Sequence, residues 1–320
     1  MSELRGSLVA WLLAATLIAL LVFPVVRAPS ADSRSAGPWR MALFRFRRNR
    51  GARLAVAAII AFYVIAALAP ALAPYGPNDQ LDMIALASQP PSAAHLLGTD
   101  LVSRDVLSRI IHGARISLSI GLLAVLLSIT VGTLYGAVSG FVGGMTDTVM
   151  MRIIDALLSV PRILILIAVT ALWEDLSLPS LVVLIGLTGW FGVSRMVRGE
   201  VIALSTREFV VSARSLGANG WRVLGRHVLP NVLSPVIVVA VFAVANMIVL
   251  EATLSFLGLG VEPQVVSWGR MLNGGRLYLG TAWWLTAFPG LAIFVTVLAV
   301  NLLGDHLRDW LDPRLRGSLS

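Results

Sequence analysis

The chain contains no cysteine and no lysine among its 320 residues, and only 13% of its residues are charged. Without cysteine it forms no disulfide and supplies no thiolate for a metal site or for nucleophilic catalysis. Without lysine it lacks the residue that a P-loop places on the β- and γ-phosphates of a nucleotide. The sequence therefore excludes cysteine chemistry and a P-loop ATPase within this chain.

Apolar residues make up 57% of the chain, and the mean hydropathy is +0.85. A typical soluble domain is about one quarter charged, so water cannot be the only solvent of this chain. A transmembrane barrel would show alternating strands of about ten residues, whereas a membrane-spanning helix needs roughly 20 apolar residues. We predict an all-α polytopic membrane protein with six core helices preceded by one further candidate, at 8–26, 54–73, 116–140, 153–173, 181–199, 232–257 and 283–303.

Positive charge orients these predicted spans. All 25 basic residues are arginine, and most lie beside apolar runs, which is typical of orientation signals rather than of nucleic-acid binding. The densest cluster occupies 34–53, so we predict that this segment is cytoplasmic. Alternation of the spans then places 74–114 outside the membrane, and both 200–231 and the C-terminal tail in the cytoplasm.

The first apolar run, at 8–26, conflicts with that orientation, because it would have to begin outside. A signal peptide is disfavoured, since the arginine-rich segment that follows is a poor start for an exported mature protein. Two interpretations stay open: residues 1–40 form an extra membrane helix, or they are an untranslated extension and the protein starts at Met41. Met41 opens an arginine-rich segment directly before a span, as a cytoplasmic start would.

Two features of the predicted spans indicate packing and anchoring rather than binding. A stripe of small residues recurs at every fourth position on one helix face, a spacing that lets two membrane helices approach closely. Trp283 and Trp284 open the last span, where indoles favour the headgroup interface. The small-residue stripe consists of Ser128, Gly132, Gly136 and Gly140.

The segment 205–231 is the most informative of the predicted cytoplasmic stretches. Ser205, followed three residues later by Glu208, forms a capping box that predicts a helix start. Gly217 can take the left-handed conformation that ends this helix, and a second short helix should stop at Pro230. Such a pair of amphipathic helices either projects toward a protein partner or lies flat on the membrane. Their apolar faces are predicted to consist of Phe209, Val210, Ala213 and Leu216 in the first helix, and Trp221, Leu224 and Val228 in the second.

This segment resembles the signature loop of ABC importer permeases, which reads Glu-Ala-Ala, three residues, glycine, nine residues and an apolar residue leading to Leu-Pro. Gly217, the nine residues 218–226 and the sequence His-Val-Leu-Pro at 227–230 match that spacing, and the Glu-Ala-Ala is partly kept as Val-Ser-Ala at 211–213. In that family the loop is similar to a ball-and-socket joint that docks in a groove of the ATPase subunit. The resemblance implies an ATPase-coupling role for Glu208, Phe209, Ala213, Arg214, Leu216, Gly217, Leu229 and Pro230.

The resemblance covers about residues 41–316 and extends to a subclass, the second permease of the dipeptide, oligopeptide and nickel importers. Ser103 stands where that subclass usually has glycine, with no clear consequence from the sequence. The resemblance implies the type I ABC importer transmembrane domain. It would comprise a first core helix with an external segment at 41–112, the permease domain at 113–305 and a cytoplasmic tail at 306–320. Matching motifs lie at 95–100, 104–109, 113–118, 143–155, 251–260, 267–269 and 301–313.

The mechanism implied by the resemblance is alternating access in a bacterial cytoplasmic (inner) membrane. A homologous second permease and this chain enclose a path, an external solute-binding protein delivers the solute, and two ABC ATPase subunits hold ATP and Mg. This chain would perform no covalent chemistry, carry no cofactor or metal, and contact lipid but no nucleic acid. Di- or oligopeptides are the expected solutes, whereas nickel chelates and other small solutes stay open.

Few polar residues fall within the spans. Glu251 lies about 20 residues beyond Asn231, or about 30 Å along a helix, so we predict that it lies near the outer surface with a gate or interface role. Asn246 either faces the path or bonds a neighbouring helix. Arg152 and Asp155 should pair locally, since they are three residues apart. The rival interpretation, an ion-coupled secondary transporter, needs coupling carboxylates near the bilayer midplane, and the sequence indicates none there.

Overall fold

The computed structural model describes residues 50–173 and 176–311. Within these ranges the regular secondary structure is helical, apart from one isolated bridge between Thr99 and Asp105. The predicted run at 8–26 lies outside the described residues and stays a prediction. The helices are α1 Arg50–Ala67, α2 Ala69–Leu72, α3 Val106–Val142, α4 Gly144–Leu158, α5 Arg162–Leu172, α6 Leu178–Ser205, α7 Glu208–Ser215, α8 Gly220–Val223, α9 Leu229–Phe256, α10 Trp268–Gly275 and α11 Trp284–Leu311.

Among the described residues, five helical segments are long and apolar enough to cross a membrane: α1, α3, α6, the continuous stretch from the start of α8 to the end of α9, and α11. Helices α4 and α5 pass the same test together but are bent by 71° at the break between them. Pro161 occupies that break and directly precedes α5, as expected for a residue without a backbone N–H. Counted as one span, this bent pair brings the described residues to the six core helices that the sequence predicts.

The described residues form two compact units. The terminal unit comprises 50–122 and 245–311, and the central unit comprises 123–173 and 176–244. In the terminal unit α11 packs along α1 and α10. Trp268, at the start of α10, is fully buried there, and its indole N–H donates to the Ile110 carbonyl at 3.0 Å.

The two tryptophans before the last span have different environments. Trp283 is 53% exposed, consistent with an interfacial anchor, but Trp284 is only 4% exposed. The Trp284 indole N–H donates to the Thr99 carbonyl at 3.1 Å, so this ring is sequestered by the segment that precedes α3. The prediction of an anchor at Trp284 is therefore wrong, because its indole N–H bonds to a protein carbonyl instead of facing the lipid headgroups.

In the central unit the small-residue stripe packs against α6. A Cβ on Gly132 would lie 2.7 Å from the Cβ of Val193, and one on Gly140 would lie 2.8 Å from the Arg198 carbonyl oxygen. A Cβ on Gly136 would lie closer still to α6, against the Ser194 carbonyl oxygen. Larger side chains would push the two helices apart, so the prediction of a packing stripe is confirmed.

Two ion pairs join α4 to α6 in the central unit. Asp147 accepts from both Nε and Nη2 of Arg198 at 2.6 Å. Asp155 pairs with Arg195, so the predicted local pair with Arg152 is wrong. The physical reason is that α6 packs against α4 and brings Arg195 close to Asp155. Residue spacing along a single helix carries no information on such a contact.

Candidate functional site

The first helix of the 205–231 loop begins differently from the prediction. Helix α6 continues to Ser205, and α7 begins at Glu208 with Arg207 in the N-cap position and no side-chain hydrogen bond there. An N-cap residue needs extended backbone, which Arg207 has and which Ser205, as the last residue of a helix, does not. The predicted capping box is therefore wrong. Glu208 still lies in the first turn, where its negative charge interacts favourably with the positive end of the helix dipole.

Gly217 ends α7 in the conformation that the sequence predicts. Its φ angle is +81°, its N–H donates to the Arg214 carbonyl at 2.9 Å, and the N–H of Ala218 donates to the Ala213 carbonyl at 3.1 Å. These two bonds form a Schellman motif, the common ending of a helix at a left-handed glycine. A Cβ at this position would have no heavy atom within 4 Å. Any cost of substituting Gly217 is therefore conformational rather than steric.

The second helix does not stop at Pro230. Helix α8 is capped by the Asn219 side chain, which accepts from the Trp221 N–H at 3.1 Å, and passes through a π turn at Leu224–Val228 into α9. In this wider turn the Leu229 N–H reaches back five residues to the Leu224 carbonyl. The shifted register accommodates a residue without an N–H at Pro230, so a continuous helix runs from Gly220 to Phe256.

The apolar side chains of the loop divide between an inner and an outer face. Val210, Val223, Leu224 and Val228 are at most 4% exposed and join a core cluster that includes residues of α6, with Ala213 and Leu229 packed at its edge. The predicted faces are wrong for three residues, since the short helices direct only a narrow stripe inward and leave the others outside. The exposed fractions of these three are 44% for Phe209, 88% for Leu216 and 62% for Trp221; Val211, which is not in a predicted face, is 51% exposed.

Phe141, near the end of α3, supports both helices of the loop. The Arg214 guanidinium lies 5.3 Å from the centre of the Phe141 ring, and the Trp221 ring centre lies 6.5 Å from it. A Cβ on Gly220 would lie 3.4 Å from the same ring. Sequence reasoning missed this residue because an aromatic side chain near a helix end carries no signal of what folds over it.

The segment between α2 and α3 is organised by a buried pair of polar residues. His95 and Asp105 are 5% and 3% exposed, and His95 Nδ1 lies 3.0 Å from Asp105 Oδ1. The other oxygen of Asp105 accepts from the N–H and the hydroxyl of Ser108 at 2.8 and 2.7 Å. Asp105 is therefore the N-cap of α3, which explains why that helix begins ten residues before the apolar run predicted at 116–140.

Ser103 occupies a turn that requires left-handed backbone. Its φ angle is +60°, and its buried hydroxyl has no hydrogen-bond partner among the described residues. Asp100 closes the turn by accepting from the N–H groups of Val102 and Arg104 at 3.0 and 2.9 Å. Glycine takes such a conformation without steric cost. The structure therefore explains why the subclass that this chain resembles usually has glycine at position 103.

The two predicted path residues have different environments. Glu251 is fully buried within the terminal unit, where Ser255 and Ser117 donate to its carboxylate at 2.7 and 3.4 Å. Its carboxylate therefore does not lie on an open surface of the described chain. Asn246, one and a half turns earlier on α9, has an exposed side chain. A gate or path role for either residue stays a prediction.

Comparison with known proteins identifies the chain's relatives. The family model described as binding-protein-dependent transport system inner membrane component matches residues 109–317. The model for the N-terminal transmembrane domain of oligopeptide transport permease C matches residues 37–91. The first match alone covers more than half of the chain and includes nearly all of α3 and the whole 205–231 loop.

Three relatives are similar to this chain over nearly their whole length. A glutathione transport system permease protein of Pectobacterium atrosepticum is 40% identical over 297 residues, which are 93% of this chain and 97% of the relative. A dipeptide transport system permease protein of Bacillus subtilis is 38% identical over 292 residues, 91% and 89% of the two chains. An oligopeptide transport system permease protein of Bacillus subtilis is 37% identical over 289 residues, 90% and 94% of the two chains. With its apolar spanning helices, the chain is thus a multi-pass inner-membrane protein that belongs to the family of binding-protein-dependent transport system inner membrane components, with the type I ABC importer transmembrane fold.

Proposed function

We propose that this permease imports di- or oligopeptides and that its 205–231 loop couples it to an ATPase subunit. The names of the three relatives refer to glutathione, dipeptides and oligopeptides, which are all short peptides. This agreement supports a peptide solute over a nickel chelate or another small solute. ATP and Mg then bind to two separate ATPase subunits, in line with the absence of a P-loop lysine from this chain.

The observation that carries the coupling role is the contrast between the two faces of the loop. Its inner face is fixed by the core cluster and by Phe141, whereas Leu216 at the end of α7 is 88% exposed. Exposed apolar side chains grouped on a fixed base are typical of a surface that binds another protein. A partner that engages this surface displaces α6 and α9 together with the loop, since all three share the core cluster.

The remaining partners follow from the same proposal. A homologous second permease completes the translocation path, and an external solute-binding protein delivers the peptide. The segment between α2 and α3 lies outside the membrane, and the 205–231 loop and the C-terminus lie in the cytoplasm. Binding of peptides to the solute-binding protein encoded beside this gene tests the solute class, and a protein that binds nickel chelates but no peptide contradicts it.

The natural absence of cysteine permits a direct test of the docking surface. A single cysteine introduced as Leu216→Cys should cross-link to the ATPase subunit in membranes that contain the assembled transporter. Ile84→Cys is the matched control, because Ile84 is 97% exposed but lies in the segment between α2 and α3. The proposal fails if Leu216→Cys forms no cross-link, or if Ile84→Cys forms the same one.

The same two variants test sidedness. In cells that lack the ATPase subunit, a membrane-impermeant maleimide should label Ile84→Cys while the cells are intact, and should label Leu216→Cys only after the membrane is permeabilised. Labelling of Leu216→Cys in intact cells would contradict the proposed orientation. If the loop instead lies flat on the lipid, Leu216→Cys should stay shielded from the reagent after a permeabilisation that keeps the bilayer intact.

A further inference from the structure

A cavity of about 310 Å³ lies within the terminal unit. Its walls are formed by the turn before α3, the first turn of α3, α10 and the start of α11. The volume is at the lower end of the range for small-molecule sites. Its cationic wall consists of Arg104, Arg109 and Arg270, and its apolar wall includes Leu101, Met271 and Leu285.

The three arginines of the cavity outnumber the carboxylates that line it. Asp100 is the acidic residue of the lining. Its Oδ2 accepts from Arg104 Nε at 2.7 Å and lies 3.8 Å from Arg109 Nε. One carboxylate is therefore shared between two guanidinium groups, and the lining as a whole has three positive charges against one negative charge.

Of the three arginines that line the cavity, Arg270 has the weakest compensation of its positive charge. It forms no ion pair among the described residues, and its Nη1 makes only a long contact of 3.5 Å to the Val261 carbonyl. Glu262, beside the lining residue Pro263, is not within ion-pair distance of Arg270 either. Burial and the positive charge of Arg104 both lower the pKa of Arg270, as expected where cations gather without enough anions.

Arg109 lines the cavity and is held in place by a backbone acceptor outside it. Its Nη1 donates to the Pro77 carbonyl at 2.7 Å, and its side chain is only 8% exposed. Arg104 is fixed in the same way by its bond to Asp100. The cavity therefore holds a preorganised cationic wall, and a planar guanidinium such as that of Arg270 matches a carboxylate with two parallel hydrogen bonds.

We propose that this cavity binds the terminal carboxylate of a short peptide, with the adjoining side chain of the peptide against the apolar wall. A terminal carboxylate has one covalent attachment and fits a cavity of this volume, whereas a lipid phosphodiester is bulky on two sides. The assignment of the solute class rests on the proposed function, but the cationic wall does not.

Binding to the full chain in nanodiscs of zwitterionic lipid tests this inference. The probe is N-acetyl-alanyl-alanine, and its C-terminal amide is a matched probe without the charge. Calorimetry should detect the carboxylate probe at millimolar or lower concentration, and the amide should bind about tenfold or more weakly, since hydrogen bonds to charged groups carry that much affinity. Equal binding of the two probes would overturn the inference without any variant being needed.

Arg270→Gln should weaken binding of the carboxylate probe by about tenfold or more, and should leave binding of the amide unchanged. Arg270→Lys should restore part of the loss. Arg276→Gln is the matched control, because the Arg276 guanidinium lies over the Phe256 ring at 5.7 Å and does not line the cavity. Equal weakening by Arg276→Gln would overturn the inference, since it would show a general charge effect.

Anionic lipid is the other candidate occupant. If the carboxylate probe does not bind, and Arg270→Gln instead reduces the amount of phosphatidylglycerol that copurifies with the chain, the ligand is a lipid phosphate and the inference is wrong. These measurements use binding alone. They can therefore fail while ATPase coupling stands, and they can succeed even if Leu216→Cys shows no ATPase contact.

Discussion

The segment between α2 and α3 and the 205–231 loop both connect spans, but their backbones are stabilised in different ways. In the first, buried polar side chains satisfy an irregular backbone: Asp105 caps α3 and contacts His95, and Asp100 closes a turn. In the second, regular helices satisfy most of the backbone, and apolar side chains such as Leu216 are left exposed. Exposed apolar side chains occur in the first connection too, since Ile84 is 97% exposed, but those of the second stand on helices that a core cluster holds in place. The first connection therefore maintains a shape, and the second offers a fixed surface.

The largest effect on stability should come from Asp105→Ala. This change removes the N-cap of α3 and leaves the buried His95 without its partner, which together cost about 3 kcal/mol. The melting temperature in detergent should fall accordingly. Asp79→Ala is the control, because Asp79 caps an exposed turn through the Gly76 N–H. Equal melting temperatures for the two variants would show that the buried pair does not maintain this segment.

Phe141→Ala should loosen the 205–231 loop without unfolding the chain. The ring contacts that it removes are worth about 1–2 kcal/mol together. Hydrogen exchange should therefore accelerate in α7 and α8 and stay unchanged between α2 and α3. Phe294→Ala is the matched control, since Phe294 is 61% exposed on α11. If exchange in the loop does not change, Phe141 is not the base of that surface.

Ser103→Gly should stabilise the segment between α2 and α3. It relieves a left-handed backbone conformation and removes a buried hydroxyl without a partner, a gain of about 1 kcal/mol. The midpoint of denaturation should rise slightly. Ser88→Gly is a useful comparison, because Ser88 also has a positive φ angle, of 52°, but is only partly buried. A lower midpoint for Ser103→Gly would mean that the Ser103 hydroxyl stabilises the folded chain through an interaction that is not among the observed contacts.

The smallest effect should be a local pH dependence at Asp82. Backbone hydrogen bonds from Ala85 and Ile84 lower the pKa of this exposed carboxylate. Because the pKa is lower in the folded turn than in the unfolded one, the stabilisation is present above the unfolded pKa and is lost as the pH falls through the folded value. Proteolysis near residue 82 should therefore increase in acid, and Asp82→Asn should abolish that pH dependence. A pH dependence that survives in the variant would exclude Asp82 as its cause.

Sequence reasoning succeeded where one residue or one period determines the structure. The apolar runs predicted the spanning helices, the four-residue spacing predicted the stripe on α3, and a lone glycine predicted the left-handed end of α7. In each case the physical requirement, whether length, close approach or positive φ, is expressed by residues that are adjacent in sequence or regularly spaced.

The predictions failed where a neighbouring element changes the local outcome. Ser205 does not cap α7 because α6 continues through it, and Pro230 does not end a helix because a π turn precedes it. The supporting role of Phe141 and the complete burial of Glu251 depend on contacts over more than 70 residues and more than 100 residues of sequence, respectively. Pattern and propensity carry no information on such contacts.

Coupling through the 205–231 loop is the central claim, and Gly217 tests it most directly. Gly217→Val forces a β-branched residue into left-handed backbone, at a cost of about 1–2 kcal/mol, or roughly 5- to 30-fold in the population of the native turn. Gly217→Asn is the matched control, because asparagine tolerates this conformation. The account predicts normal abundance of both variants in the membrane, with peptide uptake and transport-stimulated ATP hydrolysis falling together in Gly217→Val and largely retained in Gly217→Asn. Normal uptake by Gly217→Val with its ATPase still bound would contradict the account.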